Sequence, residues 1–365
     1  MCKQRHANAK RPTMTDVASA ANVSQTTVSL VLNHAKGARI SPRTRERVIT
    51  TANELGYLPV LRGKSPEASG DNLIGFICDE ISTDPWTAIE FQGVRERAWE
   101  RGLTVTMLST RGDADMERAV FAQLEQLSPV GIIYATINTR IIDPPAALSR
   151  LPAVLLNCRA TGGGLPSIVP GEVSGGYSAT DYLLRAGHRR IGYINGEPGM
   201  AASRQRLRGY RQALATADLP FDPDLVKNGN WEPPSGYEHT HALMRLSAPP
   251  TAIFCANDLM AIGCYEALRE LGIRIPDDVA VMGYDDREIA RHLHPPLTTV
   301  LLPHLEMGML ATDMLLEQTI SEPRRLREVE VECPVVTRKS VSHRQSEDLE
   351  THYGSVPRGR YLSTS

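Results

Sequence analysis

Aromatic residues are scarce in this 365-residue chain, at 5%. No apolar run approaches the roughly 18 residues that a membrane-spanning helix needs, which excludes a helical membrane protein as a reading. The six cysteines (Cys2, Cys78, Cys158, Cys255, Cys264, Cys333) lie far apart, with no C-x-x-C pair. That spacing excludes a zinc ribbon and a disulfide scaffold, and it fits reduced thiols in a cytoplasm. The opening "MCKQRHANAKRP" is basic, but no apolar stretch follows it, so no secretory signal is expected. No Ser/His/Asp set and no metal-ligand spacing stands out, so neither an enzyme nor a cofactor or metal is expected. "TGGG" (Thr161–Gly164) lacks the Lys-Ser/Thr of a phosphate-binding loop. His188 lies between a helix-ending glycine and a strand and reads as a structural cap.

What the chain does have is asymmetry. Residues 1–64 hold eleven Lys/Arg against three Asp/Glu, a net +8, whereas the remainder holds 29 against 39, a net −10. A basic head on an acidic body points to a head that meets a polyanion. The length calls for two or three domains.

The head reads as three short helices. In "TMTDVASAANVSQTTVSLVLN", Thr13 with Asp16 resembles a capping box, and Val17, Ala18 and Ala21 follow at helical spacing. Asn22 suits a left-handed turn. Ser24 caps a second helix that turns Val28, Val31 and Leu32 inward. In "SPRTRERVITTANELG", Ser41 is the cap, Pro42 takes the first helical position, Gly56 ends the helix, and Val48, Ala52 and Leu55 form its stripe. Two short helices closed by small residues make a helix-turn-helix pattern. The second helix then presents Gln25, Thr26, Ser29 and Asn33, short polar groups suited to base edges and phosphates in a major groove. Arg43, Arg45 and Arg47 lie ready to neutralise phosphates. Residues 57–72, "YLPVLRGKSPEASGDN", are Gly/Pro/Ser-rich and read as a linker.

From residue 73, short apolar runs ("LIGFICDE", "VGIIYAT", "PAVLLNC", "RIGYING", "TAIFCAND", "VAVMGYDD") alternate with helical stretches. That alternation predicts doubly wound parallel sheets, with enough strands for two. "VEVECPVVTRKSV" reads as one last strand, and residues 342–365 as a disordered tail.

"TDVASAANVSQTTVSLVLN" resembles the DNA-binding signature of the LacI/GalR family of bacterial transcriptional regulators. The likeness continues through "ISPRTRERVITTANELGYLP", "GHRRIGYING", "RLRGY", "PPTAIFCANDLMAIG", "IPDDVAVMGYDD" and "PPLTTV". It implies an all-α helix-turn-helix headpiece over 13–60, a hinge over 61–72, and an α/β body over 73–341. That body is periplasmic-binding-protein-like, with two doubly wound parallel-sheet subdomains. Their implied extents are about 73–168 with 298–328, and about 169–297 with 329–341. The resemblance further implies a homodimer (a tetramer is the alternative) on double-stranded operator DNA. It also implies a small-molecule sugar effector between the subdomains and no membrane partner.

Carried over residue by residue, Gln25, Thr26 and Leu30 fall at base-reading positions. Leu30 stands where relatives often have Arg or His; it can contact a thymine methyl but cannot bond guanine, and packing on the headpiece is its alternative role. Ser24, Thr27, Ser29, Asn33, Ser41, Thr44 and Tyr57 match phosphate-contact positions. The hinge departs from the pattern. The slot of a leucine that wedges into the minor groove holds Pro66, after Gly63 and Lys64, and a helix there is disfavoured. Arg62 and Lys64 are left to enter the groove by charge.

In the body, Asp79, Glu80, Asn157, Asn257, Asp258, Asp285 and Asp286 lie at strand ends, where the polar groups of such folds converge. Asp84 and Trp86 lie in "DPW". Carboxylates, amides, arginine and an aromatic ring are the groups that bind sugars. Family effector positions map onto Asn157, Arg206, Trp231, Asn257 and Asp285; Leu302 occupies a slot that is polar elsewhere. Asp258 and Asp286 have helix capping as their alternative, and Trp86 a core or lid position. The expected protein is a repressor whose operator affinity a sugar lowers. A transporter's solute-binding protein would share the body but not the basic head.

Overall fold

The computed structural model describes residues 14–24, 27–28, 31, 41–54, 72–81, 85–320 and 328–342. Thr13, Gln25, Thr26, Ser29, Leu30, Asn33, Tyr57, Arg62, Lys64, Pro66, Asp84 and the tail from 343 therefore lie outside the described residues. The chain divides into two units, one ending at Ser69 and the other starting at Gly70.

In the first unit, helix α1 (Met14–Ala20) and helix α2 (Pro42–Glu54) share one small core. Val17, Ala18, Ala21, Val28, Val31, Val48 and Ala52 are buried together, with Val23 against them. The residues are small because short helices meeting at a tight turn leave no room for larger ones. Asn22 takes a φ of 47° there. Ser24 Oγ accepts from the Thr27 amide at 3.1 Å, and Ser41 Oγ accepts from the Thr44 amide at 3.2 Å. Both serines thus cap helix starts, which satisfies amides that would otherwise be unpaired.

The second unit alternates strand and helix over most of its length. Its first sheet is parallel and has the order β11-β5-β4-β3-β1-β2. These strands are β1 (Leu73–Cys78), β2 (Thr104–Ser109), β3 (Gly131–Ile142), β4 (Ala153–Ala160), β5 (Ser167–Pro170) and β11 (Glu328–Val331). Helices α3 (Trp86–Glu100), α4 (Ala114–Leu127) and α9 (His304–Ile320) cover it. The second sheet, also parallel, has the order β7-β6-β8-β9: β6 (Ile191–Asn195), β7 (Val226–Asn228), β8 (Ala252–Cys255) and β9 (Ala280–Met282). Helices α5 (Glu172–Arg185), α6 (Ala201–Thr216), α7 (Pro233–Met244) and α8 (Asp258–Glu270) flank it. Both sheets are apolar on both faces, as parallel strands between helices must be. Among the described residues no helix is long and apolar enough to cross a membrane.

Three details differ from the sequence reading. "VEVECPVVTRKSV" is two strands: β11 joins the first sheet, and β12 (Val335–Val336) pairs antiparallel with β10 (Thr299–Val300). Pro334, which has no N–H to give a ladder, lies between them. The lobe crossings fall later than 168/169 and 328/329, because β5 and β11 stay in the first sheet to Pro170 and Val331. Thr298 and Leu301 bridge to Met282 and Asp285, so this stretch runs with the second lobe.

Three pairs of helices cross in backbone contact, α7 with α8 at Gly236 and Gly263 and two pairs that bear on the cleft. A Cβ on Gly93 of α3 would come within 2.1 Å of Leu305 O on α9, and one on Gly209 of α6 within 2.2 Å of Val173 O on α5. Only glycine permits that approach. These crossings place Glu90 beside His304 and Glu172 beside Arg206.

Candidate effector site

The three segments that pass between the lobes leave a cleft, with a cavity of about 470 Å³. The first lobe lines it with Trp86, Ile137, Asn138, Thr139, Asn157 and His304; the second adds Glu172, Glu197, Met200, Arg206, Asn230, Trp231, Glu232, Asn257, Asp285, Arg287 and Leu302.

Arg206 is the electrostatic centre. Its Nε and Nη2 donate to the two oxygens of Glu172 at 2.7 and 2.9 Å, and Nη1 lies 3.6 Å from Asp285 Oδ1. Nη1 also donates to the Ala256 carbonyl. The guanidinium carbon lies 3.7 Å from the centre of the Tyr284 ring. Burial alone would weaken its hold on its proton, but the Glu172 carboxylate and its hydrogen bonds more than reverse that, with smaller help from Tyr284 and Asp285. Paired this way, the arginine keeps two buried carboxylates from being uncompensated charges.

Asp285 sits just past β9 with a φ of 112°, a conformation a non-glycine residue adopts only when its surroundings force it. Its amide donates to the Val300 carbonyl at 2.7 Å. Burial pushes its carboxyl up to about 6, against the pull of Arg206 and Arg287. The folded state therefore holds this proton more tightly than the unfolded state, where an aspartate titrates near about 3.9. Its contribution to stability is present below that value and is lost as pH rises through about 6. Wild type minus Asp285→Asn should show stability declining between roughly pH 4 and 6, by up to about 3 kcal/mol. Urea unfolding at a series of pH values reads that difference, and a flat difference would contradict it.

Two amides expected to face the effector are busy with the fold. Asn157 Nδ2 donates to the Thr136 and Ile137 carbonyls at 2.9 and 3.2 Å, and its Oδ1 accepts from Thr139 Oγ1. It sits at φ 59° beside the shift in the β3–β4 register and substitutes for ladder bonds missing there. Asn257, not Asp258, caps α8: its Oδ1 accepts from the Met260 amide at 2.8 Å, and its Nδ2 donates to the Trp231 carbonyl at 2.9 Å. Trp231, at φ 70°, lays its indole where Gly196 has no side chain, and its Nε1 contacts Met200 Sδ at 2.8 Å. Asp258 is instead a buried anchor that accepts from Thr299 Oγ1 at 2.6 Å and from the Arg287 amide at 2.8 Å. Burial and then Asp285 push its carboxyl well up. Asp286 pairs with Arg338 at 2.5 Å rather than capping a helix. Asp79 is likewise taken, accepting from the Ile137 amide at 2.9 Å and pairing with Arg140 at 2.6 Å.

Trp86 opens α3 at the rim of the cleft, stacked on His304 with ring centres 4.9 Å apart. His304 Nδ1 lies 2.8 Å from Glu90 Oε1, and its Nε2 has no hydrogen-bond partner among the described residues. Sequence reasoning missed Glu172, Glu90, His304 and Arg287. The signal was available for two of them. Glu90 falls on the inward face of α3 with Thr87 and Val94, and Arg287 directly follows "YDD".

Two parallel α/β lobes around a polar cleft, preceded in the chain by a small basic helical unit, make a ligand-binding body that follows a DNA-binding headpiece. Residues 13–60 match the family profile described as bacterial regulatory proteins, lacI family, and residues 180–341 match a periplasmic binding protein-like domain. The transcriptional repressor PurR of Aliivibrio salmonicida (strain LFI1238) is 31% identical over 331 residues, covering 90% of this chain and 98% of that protein. A solved complex of the transcriptional regulator CelR with cellobiose is 30% identical, with a TM-score of 0.62 over 90% of this chain and 100% of that one. The lac repressor dimer bound to operator and the anti-inducer ONPF is 27% identical, with a TM-score of 0.62 over 91% and 100%. The chain belongs to the LacI family and is a DNA-binding transcriptional repressor.

Proposed function

We propose that this repressor binds its operator as a homodimer in the cytoplasm, and that a neutral sugar or oligosaccharide held between the lobes lowers its operator affinity. The observation that carries the sugar reading is the state of the charges in the cleft. Arg206 is spent on Glu172 and lies against Asp285, so the central cation of the cleft is already neutralised and offers little to an anionic ligand. It offers instead polar groups at short range (Asn138, Thr139, Glu197, Asn230, Glu232, His304) between two tryptophans. Hydroxyl pairs suit such groups, and the C–H face of a sugar ring suits an indole. The cellobiose held by the CelR relative supports this class. The domain scheme supports a coupling: a ligand bound across both lobes favours the arrangement in which it makes more contacts, and so shifts the population that binds DNA. Dimerisation follows from the headpiece, since a two-fold pair of recognition helices reads two half-sites about one helical turn apart. The lac repressor relative, solved as a dimer on operator, supports it.

We further propose that Gln25, Thr26 and Leu30 read bases, and that Ser24, Thr27, Ser29, Asn33, Ser41, Thr44 and Tyr57 contact the backbone. Asp84, Trp86, Asn157, Arg206, Trp231, Asn257 and Asp285 form the effector set. Within that set, Asn157 and Asn257 act chiefly by holding the cleft walls, because their hydrogen-bonding groups are taken. The test is nuclease protection of the upstream DNA with and without a sugar panel. A response to planar nucleobases in place of sugars would replace the sugar reading, since two indoles also stack planar rings.

A further inference from the structure

The cleft holds a contact that the effector reading does not use. The Arg287 guanidinium carbon lies 4.7 Å from the centre of the Trp86 ring. The two belong to different lobes. Trp86 opens α3 under the first sheet, whereas the Arg287 backbone amide is fastened to Asp258 at the start of α8 in the second. Each partner is braced from behind. On the first lobe Trp86 stacks on His304, and His304 is held by Glu90, which is completely buried. On the second, Arg287 Nε lies 3.6 Å from Asp285 Oδ2, on a loop that Asp258 pins at 2.8 Å. A cation over an indole face is attractive by itself and more so when water is kept away.

We propose that Arg287 and Trp86 form a clasp between the lobes, which holds the cleft closed in the ligand-free repressor. Glu90 and His304 are its positioning residues. An effector that stacks on Trp86 takes the place of Arg287 and so acts on the lobe equilibrium directly. That consequence rests on the cleft being the effector site, but the clasp itself does not, and it is testable with no ligand present.

The experiment is amide hydrogen exchange by mass spectrometry on the ligand-free full chain and on Trp86→Leu, Arg287→Gln and the double variant. Exchange is read at cleft segments 136–139 and 229–232, with the central strand 191–195 as reference for the fold. Each single variant should speed exchange at both cleft segments by roughly 2- to 30-fold. The double variant should be no faster than the singles, because either change removes the same contact. Protection at 191–195 should not change. Unaltered cleft exchange, or effects of the two substitutions that multiply, would overturn the clasp. Loss of protection at 191–195 would overturn it too, because the pair would then be holding the fold and not the cleft. A sugar panel that leaves operator binding unaltered would defeat the effector reading while leaving this result standing.

Discussion

Arg206→Met is expected to lower the stability of the body by about 3–5 kcal/mol, the cost of removing one partner from a buried ion pair. The substitution keeps much of the side chain's volume but leaves the Glu172 carboxylate, 2% exposed, with no cation beside it, and removes one of the two arginines that lie 3.6 Å from Asp285. Urea unfolding followed by circular dichroism measures the loss. The double variant Glu172→Gln with Arg206→Met should recover a good part of it, because a neutral amide in that position no longer needs a counter-charge. If the single variant lost less than about 1 kcal/mol, the pair would not be the electrostatic centre of the cleft. The same variant should also blunt any effector response, since the residue lines the cavity.

The second large effect concerns DNA. Replacing Gln25 and Thr26 together with alanine should weaken operator binding by about two orders of magnitude or more, given about 1–3 kcal/mol for each good base contact. Affinity for unrelated DNA should change much less, because phosphate contacts carry no sequence information. Effector binding by the body should be unaltered. The hinge adds an expectation about salt. The expectation that Arg62 and Lys64 act by charge predicts that operator affinity falls steeply with salt. Fluorescence anisotropy on an operator duplex at a series of salt concentrations reads both; a shallow slope would mean that charge does little at the hinge.

The fold was legible because its signals are local and periodic. Apolar runs such as "LIGFIC" and "TAIFC" can only be buried strands once helices with glycine stops lie between them. The Ser24 and Ser41 caps were legible for the same reason, since each needs only the three residues that follow. The site was legible less evenly. Trp86, Arg206, Trp231 and Asp285 do line one cavity, drawn from four separate stretches of chain. Their partners were harder to see. Glu172 is 34 residues from Arg206, and Glu90 is 214 residues from His304. Nothing local announces such pairs; they exist because glycines let α5 meet α6 and α3 meet α9 at backbone distance. Asn157 and Asn257 also line the cavity, but Asn157 lies within β4 and Asn257 just past β8, and a left-handed backbone in one case and a helix start in the other claim their amides first. Asp258 was read as a cap one residue too late. Its neighbour caps the helix, and it braces the loop that carries Asp285 and Arg287.

The measurement that bears most directly on the whole account is a nuclease footprint of the full-length repressor on the DNA upstream of its own gene, repeated with mono- and oligosaccharides, cellobiose among them, and with nucleobases. A protected site with two-fold symmetry, lost on addition of one sugar and unaffected by nucleobases, is the expected result. A protected site that no sugar alters would contradict the proposed control by a sugar in the cleft.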